Sequence, residues 1–314
     1  MECLLNAECF SGHYNCTFYD PESIPREKRR NVVPGVILIG FFIIFELLFL
    51  PCIAVFVQKN NLRESCFKLM LFLTILSMFN LFSSCLLIGI YAIRGDVFCD
   101  RPLFNYIIGM PFFATYTCES ILAVILALNR CTAMANHRLA AVLFDGKKLF
   151  IWIAFPNGMM VSYVWQPHIG YVEDTEGWYL HKLFPFNQFS LGFGIPIIYA
   201  LFYFIMRKKR TLTVGTEQNG SQNSVDRKRD QYIFTQVFLI SLITMLYAFP
   251  YLYAQYFPVP SWFAIAAHFL WACSYGLFAI IMIIFNMQIR NNVKAMFQKL
   301  THGIGLTSAD VQAS

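Results

Sequence analysis

Two ionisable residues, Glu119 and Arg130, lie in or directly after a long apolar stretch of this 314-residue chain. Arg130 follows Glu119 by eleven residues, close to three helical turns, so on a helix both side chains share one face. A charged residue at the centre of a membrane helix costs about 2.5 to 3.5 kcal/mol on insertion scales, which makes it a functional candidate. Glu119 is then either an ion or conformational switch site or a neutral carboxylic acid bonded to a neighbour. Arg130 is either a switch residue or an anchor that reaches into the lipid headgroups.

Several other polar residues stand in apolar stretches and are candidate partners of Glu119 through interhelical hydrogen bonds. They are Ser77, Asn80, Ser83, Ser84 and His268. His268 is interpreted either as a packing histidine or as a ligand contact. Glu46 either joins this group or stays protonated as a packing residue.

Aromatic residues in the same stretches are candidates to line an apolar ligand pocket between helices. They are Phe112, Phe113, Tyr116, Tyr251, Trp271 and Tyr275. Aromatic belts at the membrane interface and lipid-facing packing use the same residue types, so both interpretations stay open.

Elements that span a membrane must position these residues. The chain is 57% apolar and 13% charged, whereas soluble domains carry about 25% charged residues. Its apolar runs are continuous, which predicts helices, because barrel strands would alternate. Seven transmembrane helices are predicted, at approximately 33–57, 68–93, 103–130, 149–167, 185–207, 231–256 and 262–286. The predicted fold class is an all-α membrane protein with a seven-transmembrane helix bundle over residues 33–287.

The orientation of the bundle follows from its basic residues. With the amino terminus outside, inner segments hold 17 of the 24 Lys and Arg residues and outer segments hold 7. The positive-inside rule therefore favours an extracellular tail over residues 1–32. The sequence "REKRR" at 26–30 opposes this orientation, because it places basic residues just outside the first helix.

The inner surface is predicted to bind lipid or a protein partner. Residues 288–302 have apolar residues at helical spacing and predict an amphipathic helix in the interface plane, followed by a disordered tail over 303–314. The loop over 207–231 has seven basic and three acidic residues. Its excess of positive charge would attract anionic lipid headgroups, an acidic protein partner or both. No nucleic-acid partner is predicted. Its basic residues are Arg207, Lys208, Lys209, Arg210, Arg227, Lys228 and Arg229.

The predicted outer segments contain four of the ten cysteines: Cys3, Cys9, Cys16 and Cys99. Two disulfides with three possible connectivities fit an oxidising compartment. Cys99 either pairs with the tail, which would strap the tail over the extracellular opening, or stays a free thiol. Asn15 begins the sequence "NCT", a glycosylation site that is usable if the tail is outside.

Several short sequences resemble the class T serpentine chemoreceptors of nematodes, a family of seven-transmembrane G-protein-coupled receptors. They are "YNCTFYDPE", "FELLFLPC", "SCFKLM", "GDVFC", "LALNRC" and "FNMQIR". Rhodopsin-like receptors have an acidic residue, arginine and tyrosine at the end of helix 3, where this chain has Asn129, Arg130 and Cys131. Asn129 removes the carboxylate that would hold such an arginine in an inactive state, which predicts higher basal activity.

The resemblance implies a receptor in the plasma membrane, in the cilium of a sensory neuron, that binds an odorant or pheromone and signals to a heterotrimeric G protein. In rhodopsin-like receptors, the level about three turns above the arginine belongs to a polar sodium pocket, and Glu119 falls near it. The resemblance identifies neither the ligand nor the oligomeric state.

The alternative function is a seven-helix small-molecule transporter, although helices 1–3 and 5–7 show no repeat. A retinal protein would need a lysine in the last helix, and a zinc hydrolase would need several convergent ligands. The sequence shows neither pattern, so we expect no cofactor and no enzymatic activity.

Overall fold

The computed structural model of the chain describes residues 7–14, 16, 20–159, 187–213, 235, 238–240, 242–254, 257, 259–285, 289–295 and 298. Regular secondary structure in these residues is helical. The helices named below are α1 (Ala7–His13), α2 (Val32–Phe56), α3 (Ser65–Arg94), α4 (Pro102–Ala135), α5 (His137–Phe144), α6 (Lys148–Met159), α7 (187–213), α8 (Phe238–Ala254), α9 (Ser261–Phe285) and α10 (289–295).

Five of the described helices are long and apolar enough to cross a membrane: α2, α3, α4, and the apolar parts of α7 and α9. The other two predicted spans, at 149–167 and 231–256, overlap α6 and α8, and parts of both lie outside the described residues. Large apolar side chains cover the outer surface of these helices; on α2, for example, Val33 is 70% exposed and Leu47 60%. Such a surface is suited to hydrocarbon, which is consistent with a membrane protein.

Glycines allow α2 to approach its neighbours closely. A Cβ atom on Gly35 would lie 2.7 Å from the backbone oxygen of Gly89 on α3, so no side chain fits at this crossing. On α9, Gly276 leaves room for the ring of Phe45, whose nearest carbon would lie 2.1 Å from an added Cβ. Small residues at membrane helix contacts allow such close packing, and they hold α2 against both α3 and α9.

Two helices contain a π-helical segment, Phe82–Leu87 in α3 and Ser190–Gly194 in α7. A π-helical segment inserts one extra residue into an α-helix and changes the direction of the side chains around it, and it is frequent at functional sites. Neither segment was predicted. Both segments lie close to the residues around Glu119: Ser84 of the first bonds Asn80, and Leu191 of the second lines the same cavity as Glu119.

The tail is fastened to the loop between α3 and α4. Cys16 and Cys99 form a disulfide, and Tyr14, which is buried, packs against Tyr106 of α4 with ring centroids 4.7 Å apart. Cys9 is also disulfide-bonded, whereas Cys3 and Asn15 lie outside the described residues. The described part of the tail thus packs against the first turns of α4.

Ion pairs account for part of the basic sequence at 26–30. Arg29 lies 3.3 Å from the carboxylate of Asp100, and both side chains are largely buried. Arg26 approaches the same carboxylate at 3.8 Å. Two of the five residues in this sequence thus pair with an acidic residue of the adjoining loop.

Helix α10 follows α9 and packs against the bundle. Ile289 is fully buried in the main apolar core, which also contains Phe56 and Met282, and Val293 packs on its edge. The described part, 289–295, covers the first turns of the predicted amphipathic helix at 288–302. Its apolar side thus faces the inner end of the bundle in these turns.

Candidate functional site

Glu119 is the centre of a hydrogen-bond network between α3 and α4. Ser77 donates to one carboxyl oxygen and Asn80 Nδ2 donates to the other at 2.6 Å. The Asn80 Oδ1 atom in turn accepts from Thr115 Oγ1 at 2.6 Å. Ser77 and Asn80 are three residues apart and therefore share one face of α3, as Thr115 and Glu119 share one face of α4. Both carboxyl oxygens are thus bonded by the protein itself.

His268 of α9 binds α3 one turn above this network. Its Nε2–H donates to the backbone oxygen of Ser84 at 2.8 Å, within the π-helical segment of α3. The Ser84 hydroxyl donates to the backbone oxygen of Asn80 at 2.9 Å, so the two polar groups are contiguous. Glu46 lies apart from them, half-buried on α2 and within electrostatic range of Cys85.

A cavity of about 70 Å³ opens beside Glu119 between α3, α4, α7, α8 and α9. A water molecule needs roughly 10 to 15 Å³ by this measure, so the cavity fits a few waters or one small polar group. Its polar lining residues are Tyr116, Glu119, Ser120, Thr244, Tyr247, Ser274 and Tyr275. Glu119 is the only carboxylic acid among the lining residues.

A layer of aromatic and amide side chains adjoins the cavity through Tyr116, which also lines it. The ring of Trp271 contacts those of Tyr116 and Tyr251, with centroids 5.6 and 6.1 Å apart in edge-to-face geometry. Gln188 Nε2 donates to the Tyr116 hydroxyl at 2.8 Å. We call these four residues, from α4, α7, α8 and α9, the roof layer.

The six predicted pocket aromatics separate into two groups. Tyr116, Tyr251, Trp271 and Tyr275 form or adjoin the roof layer, and Phe113 lies beside Tyr116 with centroids 6.5 Å apart. Phe112 instead stacks on Phe79 and Phe82, whose side chains are exposed on the outer surface of α3. Five further residues of the cavity and its surroundings were not predicted from the sequence: Asn187, Gln188, Thr244, Tyr247 and Ser274.

Arg130 lies near the carboxyl-terminal end of α4, about one turn before the helix ends at Ala135. It is half-buried, and its Nη2 atom approaches the Met70 sulfur, a weak acceptor, at 2.9 Å. Its Nε atom is buried and makes no hydrogen bond with the described residues. No carboxylate of the described residues lies within ion-pair distance of its guanidinium, and Tyr199 on α7 lies within its electrostatic range.

The neighbours of Arg130 have different surroundings. Asn129 is buried, and its Nδ2 donates to the Ser65 hydroxyl at the start of α3, 3.2 Å away. Cys131 is half-buried with a free thiol. The backbone of α7 continues through residues 207–210, so these basic residues stand on a helix, whereas 227–229 lie outside the described residues. Across the described residues, no group of three His, Cys, Asp or Glu side chains could hold a metal ion.

Comparison with known proteins connects this arrangement with one family. A family model described as "Serpentine type 7TM GPCR chemoreceptor Srt" matches residues 3–165 and 153–303, nearly the whole chain. The chain is also similar to "Serpentine receptor class T-55" of Caenorhabditis elegans, with 21% identity over 295 residues, which cover 89% of this chain and 79% of that protein.

Proposed function

Because the chain belongs to the Srt family of serpentine chemoreceptors, we propose that it binds a small odorant-like or pheromone-like molecule inside the helix bundle and signals to a heterotrimeric G protein. The cavity beside Glu119 is the observation that best supports this proposal. Side chains from five helices meet there, so an occupant would favour one arrangement of those helices over another.

The proposed ligand acts through the roof layer. A ligand that reaches the cavity from outside must contact or displace the ring of Trp271, which touches both Tyr116 of α4 and Tyr251 of α8. Movement of this ring would shift α8 relative to α4. We expect the inner ends of α7 and α8 to move outward in the favoured state.

The proposed contact with the G protein is centred on Arg130. Movement of α7 would take Tyr199 away from the guanidinium and open the inner end of α4. Asn129 and Cys131 adjoin Arg130 at this end. The basic residues at 207–210 and 227–229 would add positive charge facing an acidic partner surface.

Glu119 is the proposed ion or conformational switch site of the receptor. Its carboxyl group lines the cavity and lies at the level of the sodium pocket of rhodopsin-like receptors, so a sodium ion is the candidate occupant. Ser77 and Asn80 hold the carboxyl group in place for such a contact.

The proposed setting is the plasma membrane of a sensory neuron, in the cilium, with seven transmembrane helices and the amino terminus outside. The disulfide between Cys16 and Cys99 supports the outer location of the tail, because structural disulfides form in oxidising compartments. In this orientation Asn15 would carry a glycan, and α10 would lie in the interface plane.

The experiment that tests this function expresses the chain with a promiscuous G protein and screens volatile and other small molecules for a response. Variant R130A should abolish any response while surface protein stays at the wild-type level. The matched control is R138A, because Arg138 is an exposed arginine on α5 at the same side of the membrane. Responses that survive R130A, or that disappear equally in R138A, would contradict the proposed role of Arg130.

A further inference from the structure

Three hydroxyl groups in the lining of the cavity beside Glu119 donate their hydrogens to the backbone. Ser120 Oγ, Thr244 Oγ1 and Ser274 Oγ lie 2.9, 2.8 and 2.6 Å from backbone carbonyl oxygens of their own helices. A carbonyl oxygen carries no hydrogen, so in each pair the hydroxyl group must be the donor. Each of these hydroxyl oxygens therefore offers only acceptor lone pairs to an occupant of the cavity.

Glu119 adds further acceptors to the lining. Its two carboxyl oxygens accept from Ser77 and Asn80, and a carboxylate has about four lone-pair sites, so about half of them remain. The lining contains no Lys, Arg, His, Asn or Gln side chain, and its remaining side-chain donors are tyrosine hydroxyls. The described lining is thus rich in hydrogen-bond acceptors and poor in donors.

One tyrosine hydroxyl of the lining lacks a hydrogen bond. Tyr275 is 5% exposed, and its hydroxyl oxygen has no hydrogen-bond partner among the described residues. It lies within electrostatic range of Glu119, which lines the same cavity. Buried polar groups are nearly always bonded, so this hydroxyl is suited to contact a polar group of a ligand.

The excess of acceptors limits the chemistry of that polar group. An anionic group would meet a carboxyl group in a lining without a basic residue. A ketone or an ester offers only acceptors and would leave the lining oxygens without donors. A primary ammonium group offers three donors and no acceptor, and its positive charge balances that of an ionised Glu119.

The apolar part of the lining indicates that the charged group carries a hydrocarbon chain. Half of the lining residues are apolar, among them Leu73, Leu191 and Phe278. A bare sodium ion binds oxygen atoms and gains nothing from these side chains, whereas burying the chain of an alkylamine against them is favourable. The cavity volume of about 70 Å³ requires this chain to be short.

We infer that this cavity binds the primary ammonium group of a small alkylamine, which donates to Glu119 and to hydroxyl oxygens of the lining. The inference rests on the proposed function, because it names the chemical class of the ligand that the bundle binds. A neutral alcohol of the same shape has one donor and no charge, so it should bind at least about tenfold more weakly.

Propylamine and 1-propanol, which have nearly equal shapes, test this site on the full chain in nanodiscs of zwitterionic lipid. Each is titrated at millimolar concentrations in choline medium at neutral pH, where an alkylamine is protonated as lysine is, while thermal unfolding is recorded. Choline is a cation without N–H groups, so a cation that cannot donate is present throughout. Propylamine should raise Tm at concentrations at least about tenfold lower than those that 1-propanol requires. Equal shifts for the two probes, or a shift with added sodium and none with propylamine, would overturn the inference.

Three variants test whether the preference arises in the cavity. E119Q keeps the size of the side chain, removes its charge and should cancel the preference for propylamine. T244V removes one acceptor oxygen and should weaken the preference about threefold. The matched control is T117V, because Thr117 is buried and bonded to a carbonyl of its own helix in the same way but does not line the cavity.

The preference should stay at the wild-type level in T117V. A preference that survives E119Q, or that T117V lowers as much as T244V does, would overturn the inference. The two threonine variants keep the test decisive if E119Q is not produced as folded protein.

The same materials distinguish this inference from the proposed function. Selective stabilisation by propylamine without any G-protein activation by library compounds would support the amine site and refute the receptor function. Activation by library compounds with no preference for amines would support the receptor function and refute the amine site.

Discussion

The two ionisable residues of α4 have opposite environments. The fold bonds both carboxyl oxygens of Glu119, through Ser77 and Asn80 of α3. Among the described residues, the guanidinium of Arg130 has only the Met70 sulfur as a hydrogen-bond acceptor, and its Nε atom has none. Among the described residues, the polar site around Glu119 is therefore complete, whereas the site around Arg130 is not, which fits the proposal that another molecule binds there.

The locations of the two residues make this difference physically possible. A hydrogen bond to a charged group contributes about 1.5 to 3 kcal/mol, and a carboxyl group buried in a membrane helix has no other source of such bonds. Arg130 is only half-buried at the end of its helix, where a long side chain can reach polar surroundings. An incomplete site is tolerated there, which fits the proposed contact with a partner.

Variant R130K separates the charge of Arg130 from its shape, and we expect the largest effect here. A lysine keeps the positive charge but loses the planar group with five donors, so any ligand-dependent signal should fall at least about tenfold. The measurement is a dose–response curve at matched surface expression, with R138K on α5 as the control. A response equal to that of the wild type would show that only the charge matters, and the anchor interpretation would then be favoured.

Variant N80L should break the completed site. It removes the donor to one Glu119 oxygen and the acceptor for Thr115, which should lower the free energy of unfolding by about 2 kcal/mol. Thermal unfolding in nanodiscs measures this change. S83A on the same helix serves as the control, because Ser83 lies outside the network. An unchanged Tm for N80L would show that the network contributes nothing to stability.

Variant N129D should partly complete the inner site. Its carboxylate stands next to Arg130 and should lower basal signalling about fivefold, corresponding to roughly 1 kcal/mol of additional attraction in the resting state. L139E adds a negative charge on α5 as a control, because Leu139 is exposed and away from Arg130. Equal effects of the two variants would show that basal signalling responds to surface charge and not to a carboxylate next to Arg130.

Variant E119Q should have the smallest effect. The amide keeps the size of the side chain but removes its charge, so basal signalling should no longer respond when sodium is replaced by choline in the medium. Basal signalling itself should change by about twofold or less. If sodium sensitivity and basal signalling both stay as in the wild type, the proposed role of Glu119 as an ion site is wrong.

Much of the completed site could be predicted from residue type and helical spacing. Ser77, Asn80 and Glu119 are polar residues in apolar runs, and a membrane interior forces such groups to bond one another. His268 was predicted as a neighbour of these polar residues. In the structure it bonds the Ser84 carbonyl, which lies in a π-helical segment that was not predicted from the sequence.

The residues that were missed depend on contacts between distant elements. Asn187 and Gln188 follow a stretch of aromatic and polar residues and look like the outer end of a helix, and only the packing of α7 buries them. Arg29 was counted as a basic residue outside the membrane, because its partner Asp100 lies 71 positions away in another segment. Polar pairs within one helix follow its period, whereas pairs between segments require the assembled bundle.

We propose that Arg130, which pairs with no carboxylate among the described residues, is available to a G protein. Basal nucleotide exchange measures this directly, with purified chain in nanodiscs, a promiscuous G protein and no ligand. The wild type should accelerate exchange above the rate of the G protein alone, and R130A should return it to that rate. Exchange that is equally fast with R130A and with the wild type would contradict the claim.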